Sequence, residues 1–267
     1  MRILTITSFL NFPRSIEMSN GFEKHSIKHL SASSINLWTN APDVWVAQYL
    51  FGLRTPMGAA AMRGICTEDA VVAHLTGKSD CEAALKAALD KFDKTFPIAD
   101  EKTTKERAMI EPCMTLALEA LADYGTPEFP EEGQEKISIT AKTDDYEIPV
   151  IGFLDLVFPD AGLVIDLKTT GRCPSTMSAE HQLQRAIYQK AKGNQAVKFL
   201  YVTPKKTALL EDGDPNELLA RAKTQITRME RFLRSGTKHD IAGVIPVNPS
   251  TFYWNGAEAI REQLYGL

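Results

Sequence analysis

The sequence predicts one α/β domain in which a mixed β-sheet carries a crossover helix, with additional helices before and after it. Three observations lead to this class. The N-terminal half has the apolar spacing of helices, the chain turns to short β-favouring runs after Gly125-Thr126-Pro127, and a strand, helix, strand order follows within residues 148–202. A crossover of that kind joins parallel strands and a tight turn joins antiparallel ones, so the sheet is expected to contain both pairings.

Helices are predicted throughout the first half of the chain. One spans residues 34–53, with Ser33 or Ser34 as its cap, and Pro42 must break or restart it because proline cannot continue a helix. Residues 1–29 show no strong periodicity and are predicted to form a tail. The other predicted helices of this half span residues 57–75, 81–92 and 105–124.

Strands are predicted where Val, Ile, Leu and Phe are concentrated between turn residues. The predicted elements are a strand at 137–140, a hairpin of 148–158 and 163–165 around a turn at 159–162, a helix at 178–192 and a strand at 197–202. A final helix is marked by Asp214 as N-cap, Pro215 at its first position, Glu217 three residues after the cap and Gly236 beyond its end.

The organisation that follows is a single domain over residues 30–267. Its predicted parts are a helical part at 30–125, a sheet core at 126–211 and a C-terminal helical part at 212–267. With 267 residues, of which 44% are hydrophobic, the chain is long enough to bury a sizeable core.

Composition narrows the functional classes. The net charge of −4 does not indicate a nucleic-acid binder, although local clusters of Lys and Arg matter more than the sum. Four widely separated cysteines argue against a zinc knuckle or a disulfide framework, and favour a reducing cytoplasm. No apolar run approaches the roughly 18 residues that a membrane span requires, so no membrane association is expected.

The strongest chemical signal is a pair of carboxylates beside an ammonium group. Asp155 lies near the end of the first arm of the hairpin, and Asp166-Leu167-Lys168 ends the second. Side chains alternate along a strand, so Asp166 and Lys168 share one face, and pairing across the turn brings Asp155 towards Asp166. Two carboxylates in that arrangement can share Mg²⁺ or Mn²⁺. The alternative is a pair of acids at strand edges, one of them bridged to Lys168.

A triplet of the form D-x-K is weak evidence by itself, since roughly one is expected by chance in a chain of this length. A second copy occurs at Asp100-Glu101-Lys102, without a strand carboxylate before it. That copy is predicted to be a solvated loop.

Two predicted helices carry further polar candidates. Glu68 on the helix at 57–75 is a candidate third metal ligand, and its neighbour Asp69 is the alternative, since only one of two adjacent helical residues can face the sheet. On the crossover helix, His181, Gln184 and Tyr188 share one face at positions i, i+3 and i+7. They are candidates for binding a phosphate or for bracing the metal ligands, and surface polarity is the simpler explanation.

Four motifs in this order resemble the PD-(D/E)XK nucleases, particularly their RecB-like branch. They are GxxxE at 64–68, GxxD at 152–155, D-x-K at 166–168 and Q-x-x-x-Y at 184–188. The segment from Leu30 to Leu53 also looks like the opening helical segment of that branch, and the resemblance covers about residues 30 to 205. Glu68 stands where RecB and many relatives have His and where lambda-exonuclease-like members have Glu, which leaves the subgroup open.

The resemblance implies a restriction-endonuclease-like core and a DNA nuclease that depends on one or two Mg²⁺ or Mn²⁺ ions. The implied metal ligands are Glu68, Asp155, Asp166 and the carbonyl of Leu167, with Lys168 orienting the attacking water. Gln184 and Tyr188 are implied to position the substrate strand. An exonuclease in recombination, repair or replication is favoured, with a recombination or replication protein as a partner. Some relatives bind an iron–sulfur cluster through C-terminal cysteines, but residues 246–254 contain none, so no cluster is expected and aromatic packing is expected instead.

Basic residues after the proposed site predict a track for DNA phosphates, with solubilising surface charge as the alternative for the last helix. They are Lys190, Lys192, Lys198, Lys205, Lys206, Arg221, Lys223, Arg228, Arg231 and Arg234. Three competing functions remain at this stage: a non-catalytic DNA-binding accessory protein, a structure-specific endonuclease of the same fold, and a metalloprotein acting on a small phosphorylated compound.

Overall fold

A computed structural model describes residues 20–128, 135–139 and 147–267, and of residues 135–139 it describes the strand path alone. The strands in this part of the chain are β1 (Glu135–Ile139), β2 (Val150–Leu154), β3 (Leu156–Phe158), β4 (Leu163–Thr169), β5 (Ala196–Val202) and β6 (Thr207–Leu210). The α-helices are α1 (Gly21–Lys24), α2 (Ala32–Asn40), α3 (Pro42–Leu50), α4 (Ala59–Leu75), α5 (Cys81–Thr95), α6 (Glu101–Ala108), α7 (Ile110–Leu121), α8 (Ala179–Ala191), α9 (Pro215–Arg234), α10 (Lys238–Val244) and α11 (Glu258–Tyr265).

The central sheet is mixed, in the order β3-β4-β5-β6. β3 and β4 form an antiparallel hairpin, and β4 and β5 pair in parallel because α8 carries the chain back across the sheet. β6 then pairs antiparallel with β5. The predicted α/β class, the mixed sheet and its crossover helix are confirmed.

Two layers of helices cover the two faces of this sheet, and strand alternation decides which side chains face each layer. Val164 on β4 and Phe199 on β5 pack in the core with α2, α8 and α9, whereas Ile165 and Leu167 pack in the core with α4, α5 and α7. Asp166 and Lys168 follow the parity of Val164, so both project towards the α8 layer.

The continuous strand predicted over residues 148–158 is wrong, because the chain bends at Asp155. The part before the bend, β2, pairs with β1, while the part after it, β3, pairs with β4. The hairpin itself is confirmed from Leu156 onwards. Since Asp155 is released from both ladders at the bend, its carboxylate turns inward and is 7% exposed.

The predicted break at Pro42 is confirmed, since Pro42 is the first residue of α3. The cap of the preceding helix is Ser31 rather than Ser33 or Ser34. The Ser31 side chain accepts a hydrogen bond from the Ser34 amide, and the Ser34 hydroxyl accepts one from the Ser31 amide at 2.8 Å, a reciprocal pair that fixes this start.

The helix predicted over 105–124 is two helices, α6 and α7, which meet at Met109. The second D-x-K triplet is not a loop. Asp100 accepts a hydrogen bond from the Thr103 amide as the N-cap of α6, and Glu101 begins that helix, although the triplet is exposed as expected. Its carboxylate therefore serves a helix terminus.

The predicted tail of residues 1–29 is wrong for its last ten residues, and residues 1–19 lie outside the described part. The amide of Gly21 donates a 3.0 Å hydrogen bond to Glu230 on α9, and the Phe22 ring is buried in the core. A Cβ at position 21 would lie 2.3 Å from the Glu230 carbonyl oxygen, so only glycine permits this close contact.

The helix predicted as the last one is α9, and its cap at Asp214 and first residue Pro215 are confirmed. α10 and α11 follow it, so it is not the final helix. The C-terminal segment is fastened to α3 by Asp43, whose carboxylate accepts hydrogen bonds from Trp254 Nε1 at 2.9 Å and the Asn248 amide at 3.0 Å. In the described part of the chain, none of these helices combines the length and apolar character that crossing a membrane demands.

Candidate active site

Two buried carboxylates meet where the bend between β2 and β3 faces the middle of β4. Oδ2 of Asp155 accepts a hydrogen bond from the Leu167 amide at 3.1 Å, and Asp166 is the residue before it on β4. Asp155 is 7% exposed and Asp166 is 1% exposed. The hairpin thus places the two acids side by side, as the sequence predicted.

Lys168 pairs with Asp166, its neighbour two residues away on the same face of β4. Its Nζ also lies 5.4 Å from the centre of the Phe199 ring on β5. Burial acts to lower the pKa of Lys168, but the charges of Asp166 and Asp155 outweigh it and raise the pKa. Lys168 is therefore a fixed positive charge at neutral pH.

Both carboxyl groups have raised pKa values. Burial is the main cause for Asp155, and the negative charges of Asp166 and Glu68 add to it, against Lys168 and the Leu167 amide. Burial also raises the pKa of Asp166, although Lys168 opposes it. Two adjacent acids that resist ionisation are the kind of site that a bound cation stabilises.

Helix α8 holds Asp166 from the opposite side. Nε2 of Gln184 donates hydrogen bonds to Asp166 Oδ2 at 2.9 Å and to the Tyr188 hydroxyl at 2.7 Å. The Tyr188 ring packs on Gly152 of β2, where an added Cβ would lie 2.5 Å from Cε1 of the ring. The glycine of the GxxD motif is therefore explained by the tyrosine of the Q-x-x-x-Y motif.

His181 shares the face of α8 with Gln184 and Tyr188, as predicted, but among the described residues its ring contacts Tyr201 of β5 and not a carboxylate. Its Nδ1 lies 2.6 Å from the hydroxyl of Tyr201, which pairs with Lys168 in the β4–β5 register. Burial, together with the charge of Lys168, lowers the pKa of His181 to about 4. The ring is accordingly neutral at pH 7 and keeps Tyr201 beside the lysine.

The structure distinguishes Glu68 from Asp69. Asp69 points outward and pairs with Lys91 at 2.5 Å on the surface, while the charge of Glu68 contributes to the raised pKa of Asp155. Across the described residues, no three His, Cys, Asp or Glu side chains lie close enough together to hold one metal ion. Asp155 and Asp166 are thus brought together, and Glu68 is on the correct side of α4 without completing a cluster.

Oxygen donors at this site fit a hard divalent cation. Oδ1 of Asp166 is buried and pairs with the Lys168 ammonium group. Two buried carboxylates beside this single ammonium group leave a net negative charge that a divalent cation would balance. Asp155 and Asp166 supply the carboxylate donors that Mg²⁺ and Mn²⁺ prefer.

Arg63 is a structural support that the sequence did not reveal. Its guanidinium is 5% exposed, donates to the Thr169 carbonyl at 3.1 Å and to Thr169 Oγ1 at 3.2 Å, and pairs with Glu106. It therefore fixes the end of β4 to α4 and α6. The available signal was a single arginine among the small and apolar residues that begin α4.

Two clefts open at this site, and Gln184 lines both. The first, of about 400 Å³, is lined by Asp155 and Tyr188, and the second, of about 310 Å³, is lined by Lys168 and His181. A substrate can thus approach Asp155 through the first cleft and Lys168 through the second.

The chain is similar to one described protein family over most of its length. A family model described as the PD-(D/E)XK nuclease superfamily matches residues 29–252. No curated protein matches the chain. Among solved structures, one titled "Crystal structure of SSO0001" is 15% identical, covers 61% of this chain and 74% of its own, and superposes with a TM-score of 0.34.

Proposed function

The chain belongs to the PD-(D/E)XK nuclease superfamily, and from this premise we propose that it is a Mg²⁺- or Mn²⁺-dependent exonuclease acting on DNA. Family membership itself implies a metal-dependent nuclease. The exonuclease activity, a place in the RecB-like or lambda-exonuclease-like branch and a role in recombination, repair or replication are the further steps of the proposal. They rest on the resemblance of the four motifs.

The observation that carries the proposal is the juxtaposition of Asp155, Asp166 and Lys168. Two buried carboxylates lie side by side, and a lysine whose charge is fixed pairs with one of them. Phosphodiester hydrolysis creates extra negative charge on the phosphate and requires an oriented water. Adjacent acids for a cation and an ammonium group for the developing charge meet both requirements.

The carboxylates of Asp155 and Asp166 and the carbonyl of Leu167 are proposed to hold the cation. Glu68, which forms no three-acid cluster with them in the described residues, is proposed to join them when the cation binds. When bound, the divalent cation lowers the pKa of a water molecule and neutralises charge at the scissile phosphate. The carboxylates must be ionised to bind it, which their raised pKa values oppose at low pH.

The remaining side chains of the site are proposed to orient the water, the ligand carboxylate and the substrate, and to neutralise charge on the phosphate. Lys168 lies where its ammonium group can orient the attacking water and offset the charge that develops on the phosphate. Gln184 holds the Asp166 carboxylate through its 2.9 Å hydrogen bond, and Tyr188 in turn accepts a hydrogen bond from Gln184. These two residues are proposed to place both the ligand carboxylate and the substrate strand.

A comparison of linear and covalently closed circular DNA tests the proposal. With Mg²⁺ or Mn²⁺ and both ends labelled, the expected result is loss of the linear DNA from one end while the circle stays intact. Nicking or cutting of the circle would instead identify an endonuclease. Digestion that persists in EDTA, or in the Asp166→Asn protein, would contradict the proposed chemistry.

A further inference from the structure

A basic cleft of about 940 Å³ lies beyond the carboxyl ends of β4 and β5, apart from the two clefts that open at the candidate active site. Among residues 20–128 and 147–267, four cations from three separate segments line it, and no acidic side chain does so. They are Lys105 of α6, Arg172 of the segment after β4, and Lys205 and Lys206 of the turn after β5.

The fold brings these segments together in a defined way. Parallel strands end at the same edge of a sheet, so the segments that follow β4 and β5 start side by side. The turn after β5 is closed by Thr203, whose Oγ1 accepts hydrogen bonds from the amides of Lys205 at 3.3 Å and Lys206 at 3.1 Å. Arg63 secures α6 beside it through Glu106 and Thr169.

The charge in this cleft is not neutralised by any of the described residues. No carboxylate in the described chain lies within ion-pair distance of Lys105, Arg172, Lys205 or Lys206. Elsewhere pairing is common: Lys198 on β5 has Glu211 at 3.7 Å. The acid of α6 next to Lys105, Glu106, is already engaged by Arg63.

The cleft combines this charge with apolar walls. Met109, Pro174 and Pro204 line it together with the four cations. A row of cations bordering an apolar wall fits a sugar-phosphate chain, because the charges meet phosphates while the sugars cover the apolar wall. A compound with one phosphate would leave most of the four charges unmatched.

The distance between the cleft and Asp166 sets the length of strand that is needed to reach the cleft. Thr170, where the segment after β4 begins, is four residues beyond Asp166, which is about 13 Å along an extended strand. A nucleic-acid strand that passes from Asp166 to the cleft must cover this separation, which is longer than the advance of a single nucleotide, about 3.4 Å in a duplex.

We propose that this cleft binds the phosphate backbone of the substrate strand, more than one nucleotide from the bond that is cut. The inference rests on the proposed nuclease function, since it assumes that the strand passes Asp155 and Asp166. It makes strand length a determinant of affinity: a strand that reaches the cleft binds more tightly than one that fills the catalytic centre alone.

The test uses the Lys205→Ala/Lys206→Ala protein, in which the backbone groups that close the turn are retained. Binding of fluorescein-labelled single strands of about 12 and about 2 nucleotides is measured in EDTA over a salt series. Each lost phosphate contact reduces the magnitude of the negative slope of log K against log salt by about 0.7. The double variant should therefore show a slope that is about 1.4 smaller in magnitude. At 0.1 M salt this corresponds to about 25-fold weaker binding of the longer strand, with the dinucleotide unchanged.

Lys78→Ala/Lys86→Ala is the matched control. Lys78 follows the end of α4 that is remote from Arg63, about 18 Å along the helix, and Lys86 pairs with Asp90 on α5. Together the two substitutions remove two surface charges, and neither residue lines the cleft. The control should keep the wild-type salt slope, and Arg172→Gln, outside the turn, should reproduce about half of the loss if the double variant misfolds.

Two outcomes would overturn the inference. One is an unchanged salt slope in the Lys205→Ala/Lys206→Ala protein. The other is an equal loss for both strand lengths, which would indicate a site for a small anion. Metal-dependent hydrolysis of thymidine 5′-(4-nitrophenyl phosphate) tests the proposed function separately, because this ester is too short to reach the cleft. If that hydrolysis persists while the slope is unchanged, the cleft inference alone fails; if the slope falls but no substrate is cut, the nuclease proposal fails.

Discussion

The amide of Leu167 donates a 3.1 Å hydrogen bond to Oδ2 of Asp155 across the β3–β4 hairpin. The strand that carries Asp166 therefore also fixes the position of the Asp155 carboxylate. This hydrogen bond attaches both carboxylates to the same hairpin, so the register of the hairpin sets the distance between them. Both carboxyl groups are buried at this position, and burial is the main cause of their raised pKa values.

Replacing Asp155 by Asn should stabilise the protein at neutral and alkaline pH. Because the folded-state pKa of Asp155 is raised, its contribution to the free energy of unfolding is greatest below the ordinary pKa and is lost as pH rises through the folded-state value. Asn keeps the acceptor for the Leu167 amide and never ionises. Thermal unfolding in EDTA should show a higher Tm for the variant at pH 8 and nearly equal values at pH 4, and the opposite trend would contradict the raised pKa.

Metal affinity should rise with pH in the wild-type protein. Protons compete with the cation for Asp155 and Asp166, whose pKa values are both raised, chiefly by burial. Isothermal titration with Mn²⁺ between pH 5 and 8 should therefore give tighter binding at each higher pH, with protons released on binding. A pH-independent affinity would mean that these two carboxylates are not ligands.

Removing either member of the Asp166 and Lys168 pair should abolish cleavage while leaving the fold intact. Asp166→Asn removes a proposed metal ligand, and Lys168→Met removes the charge that offsets the phosphate. A loss of at least about 10²-fold in the rate is expected for each, with far-UV circular dichroism unchanged. Undiminished cleavage by either protein would refute the assignment. Lys78→Ala is the control, since that lysine is exposed beyond the far end of α4.

Adjacent residues on α4 provide a matched pair for the third ligand. Glu68→Gln should lower the rate of cleavage by about 10²-fold and weaken metal binding, because its charge acts on Asp155. Asp69→Asn should leave both nearly unchanged, since Asp69 pairs with Lys91 at the surface. Equal effects of the two substitutions would show that α4 supplies no metal ligand.

Gly152→Ala should destabilise the protein by about 1–3 kcal/mol, because the new Cβ would meet Cε1 of the buried Tyr188 ring at 2.5 Å. In a Tyr188→Ala background the same substitution should cost clearly less, since the obstructing ring is gone. Urea unfolding of the four proteins of this cycle measures the coupling. Additive effects would show that the contact between position 152 and Tyr188 does not explain the glycine.

Most local features were predictable because they depend on residues close in the sequence. The cap at Asp214 with Pro215, the restart at Pro42 and the helix that begins after Ser178 all follow from backbone preferences within one turn. The shared face of Asp166 and Lys168 follows from strand alternation alone. The restriction-endonuclease-like class and the family were indicated by the order of four short motifs, each of which has little weight separately.

Other features depended on partners that local pattern does not identify. The bend at Asp155 arises because β2 pairs with β1 while β3 pairs with β4, and the apolar run from 148 to 158 looks the same either way. β6 is half-buried at the sheet edge and has no distinct apolar pattern. Gly21 is fixed by Glu230 of α9, which is 209 residues away.

The sequence by itself thus predicted which residues are candidates for chemistry and, apart from Asp155 at its bend, on which kind of element each lies. Tertiary structure alone decided that Asp69 pairs with Lys91 while the charge of Glu68 acts on Asp155, that Tyr188 requires glycine at 152, and that four cations from three described segments border one cleft. The physical reason is range: helix caps, turns and strand parity arise from interactions over a few residues, whereas these contacts exist only after the helices have packed on the sheet.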